Sequence, residues 1–211
     1  SLTAYISYLA AIPAFRDRNK RHTSLAYSMV SIVIIQTIFF LSESEILNID
    51  SYKILLLSMI LFLVLILLAL RRVSMESINE LLNQENINEI FLAKSFRYNL
   101  AIFCLLLYGF VELFFPNNST LAYICFACGS ATFALLNDFV LKDNNILFKP
   151  FVLYIISSIS ITAIGFFFLG FNYLFELNIT NHFRHFLTTG SFGMVFYVIM
   201  IIVSTIHTGR K

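Results

Sequence analysis

The chain has 211 residues, 59% of them hydrophobic and only 12% charged, with 24 phenylalanines and a mean hydropathy of +0.83. Soluble domains carry about a quarter charged residues, so this composition excludes a soluble globular or disordered protein and assigns the chain to a bilayer. A net charge of +2 is too small to recruit nucleic acid, and Cys104, Cys125 and Cys128 all fall in apolar runs, where they signal no disulfide framework.

Residues 2–15 are apolar but few for a membrane span, which needs about 20, and they read as a span that has lost its first turn. Pro13 lacks an N–H and should break or kink its end. No basic n-region or small-residue cleavage site precedes this run, so it does not read as a signal peptide. With Ser1 in first place, the chain is expected to be a processed form or the C-terminal piece of something longer. A basic loop, 16–22, leads to a second span over 24–41. An acidic loop, 42–50, then leads to a third over 54–70, and neither span contains a charge.

Arg71 and Arg72 stop the third span. Between residues 74 and 96, Ile78, Leu81, Leu82, Ile90 and Phe91 recur among Glu and Asn, the pattern of an amphipathic helix lying in the membrane interface or extending into the next span. A fourth span over 100–115 ends at Pro116, and a fifth over 121–141 follows after a five-residue loop, which makes the two antiparallel neighbours. A sixth runs over 151–171 after Lys149-Pro150. The last occupies 186–206, which carries no charge and at about 1.5 Å per residue reaches about 31 Å, the thickness of a bilayer core. The fold class expected is therefore all-α, a polytopic membrane protein of about seven transmembrane helices in a single domain over 1–211.

Seven spans sort the basic residues sharply. One face collects Arg16, Arg18, Lys20, Arg21, Arg71, Arg72, Lys94, Arg97, Lys142, Lys149, Arg210 and Lys211, while the other holds only Lys53 and Arg184. Because Lys and Arg accumulate on the cytoplasmic side, the N-terminus is expected outside and the C-terminus in the cytoplasm.

Few residues carry chemistry. His182 and His185 lie at i, i+3 just before the last span, which puts both imidazoles on one helix face at a workable spacing for copper or for one axial haem ligand; the alternative is two solvated headgroup-level side chains. His207 follows the same span about 33 Å away, so it cannot share a metal with His185, and it could meet His22 only if the first helices pack against the last. Cys125 and Cys128 share a face and could hold a soft ion such as Cu(I), or serve as small packing residues beside Gly129. Cys104 is expected to lie too far off to join them. Glu112 and Asp138 are near enough to span ends to snorkel, and are functional candidates if they do not. Gly190 and Gly193 remove side chains from one face of the last span, for a neighbouring backbone or for the flat face of a macrocycle. No Ser-His-Asp set, phosphate loop or carboxylate pair can be drawn, which argues against a hydrolase or kinase and leaves turnover open.

The stretch from His185-Phe-Leu-Thr-Thr-Gly190 through Ser191-Phe-Gly193, with His207-Thr-Gly-Arg210 at the far end of the span, resembles the closing signature of NnrS-family membrane proteins. Ile12-Pro13-Ala-Phe15 is similar to the element opening the second half of that family, and Lys149-Pro150-Phe151 with Gly165 to Gly170 is similar to its penultimate span. Family members are about twice this length, so the resemblance implies a C-terminal half. It also implies a bacterial inner-membrane protein containing haem or copper and linked to nitric oxide metabolism and resistance to nitrosative stress. Carried over, His185 and His207 become ligand positions with Gly190, Gly193 and Arg210 in support; His182 and His22, and more weakly Cys125 and Cys128, are further metal candidates. The chain departs from the family pattern at Ile201-Ile202 and Ile206, and around Tyr154 to Ser157. The implied partners are the lipid bilayer and either an N-terminal half or a second copy. The reading from a different class is a cofactor-free membrane protein serving as a small-solute transporter or assembly partner.

Overall fold

The computed structural model describes residues 2–16, 23–116, 118–140 and 144–208. Among these all regular structure is helical, as lipid requires: without water, a spanning backbone must satisfy its own N–H and C=O groups. The helices are α1 (Leu2–Arg16), α2 (Thr23–Glu43), α3 (Ser51–Gln84), α4 (Ser95–Phe114), α5 (Thr120–Phe133), α6 (Pro150–Leu174), α7 (Thr180–His185) and α8 (Gly193–Thr208). Short 3-10 helices occupy Ala134–Phe139 and Asn144–Phe148, and a π-helix joins α7 to α8 over Phe186–Phe192. Five helices are long and apolar enough to cross a bilayer: α2, α3, α4, α5 with its 3-10 extension, and α6.

The chain divides into two compact units. The first comprises residues 1–69 and 105–116. In it α1 packs on α2, with Phe15 edge-on to Tyr27 at 5.2 Å and the small Ala11 and Ala26 buried. A Cβ on Gly109 would sit 3.2 Å from Ile60 and Leu57, so this glycine sets how closely α4 approaches α3. Glu112 is 4% exposed and does not snorkel to the surface as its place near the helix end predicts.

The second unit comprises residues 70–104 and 117–211. Its tightest pair is α5 on α6. A Cβ on Gly129 would lie 3.1 Å from the Ala163 carbonyl oxygen, and one on Gly170 would lie 3.2 Å from that of Ala122, so both glycines admit backbone to close range.

The expected interfacial helix over 74–96 is not a separate element. Helix α3 runs unbroken for 34 residues through Arg71 and Arg72 to Gln84, about 51 Å at standard rise and longer than a bilayer core is thick. Residues 87–94 then run back without helical structure along the end of α3. Asn79 holds this return: its Oδ1 accepts the Phe91 N–H at 2.7 Å and its Nδ2 donates to the Phe91 carbonyl at 3.0 Å. Phe91 and Ala93 are buried while Ile90 and Leu92 are exposed, the period-two alternation of extended chain, and Phe91 packs on Phe139 at 5.1 Å.

The helix expected over 121–141 leaves α-geometry after Phe133 and tightens into the 3-10 segment. Near its end, Asp138 reaches the start of α4, where Oδ2 accepts the Lys94 backbone N–H at 3.0 Å and Oδ1 pairs with Arg97. The carboxylate is fully buried, so Asp138, like Glu112, does not snorkel.

Three helices end in the same way. Ile46, Ile87 and Leu177 donate their N–H groups to the carbonyls of Leu41, Leu82 and Asn172 at 3.0, 2.9 and 3.2 Å, with the preceding residues Glu45, Asn86 and Glu176 at positive φ. This is the Schellman arrangement, and it satisfies carbonyls that the helix end leaves over.

Candidate functional site on the terminal segment

The terminal segment is docked on α6 from both ends. At its start the buried Asn172 accepts the Ile179 N–H through Oδ1 at 3.0 Å and donates through Nδ2 to Thr180 Oγ1 at 2.7 Å. Arg184 donates to the Tyr173 hydroxyl at 3.3 Å, and Phe168 stacks on Phe183 at 5.6 Å. At the other end of α6, Tyr154 meets Tyr197 at right angles, ring centroids 6.4 Å apart. The segment α7–π–α8 thus runs antiparallel along most of the length of α6.

Between these anchors lies the π-helix, and it coincides with the stretch that resembles the NnrS signature. Thr188, Thr189, Gly190 and Ser191 are all weak helix formers, so little intrinsic preference resists the wider turn. Thr188 Oγ1 lies 3.1 Å from the carbonyls of both Arg184 and His185, where it competes for backbone acceptors. One face packs hard against α6. Leu187 fills the notch at Gly165, where a Cβ would stand 2.5 Å from Leu187 Cδ2; Ile161 lies 3.1 Å from where a Cβ on Gly190 would be; and the Ser191 and Thr162 hydroxyls share a buried hydrogen bond of 2.5 Å.

The opposite face is open. His182 and His185 are exposed one turn apart, and a Cβ on the exposed Gly193 would meet nothing within 4 Å. Gly190 and Gly193 therefore part company: Gly190 serves helix packing, and only Gly193 leaves a free surface. His207 lies in the last turn of α8, with its side chain outside the described residues, as are His22 and Arg210 altogether.

The cysteines form a second, smaller grouping. Cys125 and Cys128 are buried on α5, and Cys104 is buried on α4. No three His, Cys, Asp or Glu side chains gather in a metal-binding group among the described residues.

A copper or haem group would find here two adjacent imidazoles and an open glycine, which is one side of a donor set. The Gly165 and Gly190 notches are filled by Leu187 and Ile161, so the interior of the α6 contact has no room for a macrocycle. The residues present fit such a group on the outer face only. Sequence reasoning missed the Asn172 clamp and the π-helix; the run of weak helix formers is the signal that marks the latter.

Five apolar helices in an all-helical chain define a multi-pass membrane protein. The family model described as NnrS protein matches residues 1–211, and the chain belongs to the NnrS family. No curated protein and no solved structure matches it.

Proposed function

We propose that the protein binds haem or copper in the bacterial inner membrane and acts in nitric oxide metabolism or in resistance to nitrosative stress. The observation that carries this reading is the match of the whole chain to the NnrS family together with the exposed His182–His185 pair beside a π-helix, a helix form that recurs at functional sites. His185 is the first ligand in this reading, with His182 on the same face and Gly193 leaving space beside them. His207, 22 positions on in the sequence, forms no part of this pair. Since two imidazoles leave a coordination sphere incomplete, the remaining donors come from a second half or a second copy of the protein.

The reading includes seven spans. Its support is that α7–π–α8 runs along α6 from the Asn172 clamp to the Tyr154–Tyr197 contact, and therefore crosses the thickness that α6 crosses. The shorter α1 lies against α2. With seven spans the basic residues divide twelve to two, which orients the C-terminus to the cytoplasm.

The test is the metal content and haem spectrum of the full chain purified in detergent after expression with iron, haem precursor and copper supplied. A stoichiometric signal lost in His185→Ala supports the assignment. An unmutated protein with neither metal nor haem overturns it in favour of a cofactor-free transporter or assembly partner.

A further inference from the structure

The return segment of the second unit, residues 87–94, alternates strictly along its length. Asn88, Ile90, Leu92 and Lys94 are exposed, Phe91 and Ala93 are buried, and Ile87 and Glu89 are half-buried. At 80% and 66% exposure, Ile90 and Leu92 touch little of their own unit. Their backbones are as open as their side chains. In extended chain the N–H and C=O groups of successive residues point to opposite edges. Phe91 turns both of its groups to Asn79, so those of Ile90 and Leu92 lie along the other edge, where no hydrogen bond among the described residues reaches them. The open edge stops at Lys94, whose N–H is taken by Asp138.

Lipid, a second copy and a foreign chain are the three kinds of occupant open to such an edge, and position and symmetry remove the first two. Asn79 lies eight residues past Arg71, about 12 Å along α3, so Phe91 and its neighbours stand beyond the hydrocarbon that the apolar run 54–70 occupies. Lipid tails do not reach them. The segment follows α3 back from Leu82, which accepts the Ile87 N–H, to Arg71, which donates to Ser95. It therefore runs roughly along the membrane normal, which is also the axis that relates two copies in one bilayer. Such an axis sets identical residues level across the two edges, N–H against N–H. An extended segment of another chain is free of that constraint.

We propose that residues 88–92 are a docking edge for an extended peptide segment of a partner protein, which adds to it as a strand. Ile90 and Leu92 each offer an N–H and a C=O for backbone pairing, and their exposed side chains meet apolar residues at alternate positions of the peptide. The exposed Lys94 ammonium pairs with no carboxylate among the described residues and favours an acidic residue at its end of the peptide. This edge shares no residue with the histidine face.

The experiment uses the full chain in lipid nanodiscs and a fluorescent synthetic peptide of alternating valine and threonine between two glutamates. Amide hydrogen exchange is measured first. In the free protein the Phe91 amide, bonded to Asn79, exchanges slowly, while those of Ile90 and Leu92 exchange as open chain does. The peptide slows Ile90 and Leu92 about tenfold or more and leaves Phe91 unchanged, and a backbone N-methylated version of it does neither. Leu92→Pro removes one donor from the open edge and suits an extended Phe91, so it weakens binding, read by fluorescence polarisation, roughly tenfold with the unfolding midpoint unchanged. Ile90 and Leu92 amides that are already protected in the free protein overturn the proposal. Protection that grows with protein concentration then assigns the edge to a second copy, and protection present in nanodiscs but lost in detergent assigns it to lipid. Equal binding of the two peptides, or no binding up to millimolar concentration, overturns it as well.

Discussion

Asp138 shows how a single side chain can hold three elements at one point. Its buried carboxylate joins the 3-10 end of α5 to the backbone before α4 and to Arg97 in the first turn of α4, where a lone cation would oppose the helix dipole. We predict that Asp138→Asn destabilises the protein by about 3–5 kcal/mol, because it strands the Arg97 charge. Replacing both partners with apolar residues should recover part of that loss, and denaturant unfolding in detergent measures both. The glycines of the signature region provide a second contrast. Gly165→Ala forces Cβ into Leu187 and should cost about 1–3 kcal/mol, whereas Gly193→Ala meets no neighbour and should be neutral or gain up to about 1 kcal/mol from helix propensity. Equal effects of the two on the unfolding midpoint would contradict the close packing of the π-helix on α6.

At the scale of elements, the π-helix carries a geometric consequence. Its wide turn holds one residue more than an α-helical path would, so residues before and after it are out of α-register. Deleting Thr189, which is exposed, should return the segment to α-geometry, replacing the wide turn that follows His185 by an ordinary one while His185 keeps its face relative to α8. The protein should still insert in the membrane, with any bound haem or copper lost. Retention of the cofactor signal in that deletion would mean that the π-helix has no part in presenting His185. The Schellman ends give a simpler case. Glu176 sits at φ 51°, a conformation that costs an L-residue about 1–2 kcal/mol, and Glu176→Gly should raise stability by up to that amount. A lowered midpoint would show that the glutamate side chain contributes more than its backbone costs.

At the scale of the whole molecule, topology is the property most open to direct test. A reporter fused after Lys211 should be cytoplasmic, and one inserted in the acidic loop near Glu45 should be external. Both on one side would leave an even number of spans after the Glu45 loop, and the division of basic residues would then lose its meaning. The same measurement decides whether His185 and His207 stand on opposite faces of the membrane.

The membrane class and the position of each apolar run follow from composition alone, because a run of some twenty apolar residues has no stable place but the bilayer and no backbone option there but helix. The family signature was legible for the same local reason: His185, Gly190 and Gly193 stand close together in the chain. Two features were present in the sequence but needed a three-dimensional arbiter. Ile90 to Ala93 alternates with period two inside a stretch where Ile78 and Leu82 set a helical rhythm, and only the burial of Phe91 against Phe139 decides for extended chain. Gly190 and Gly193 are equivalent as letters, and only the presence of Ile161 beside one and nothing beside the other separates packing from open surface. The Arg97–Asp138 pair had no local signal at all. Its members lie 41 residues apart, and a buried charge declares its partner only when the elements that carry both have packed.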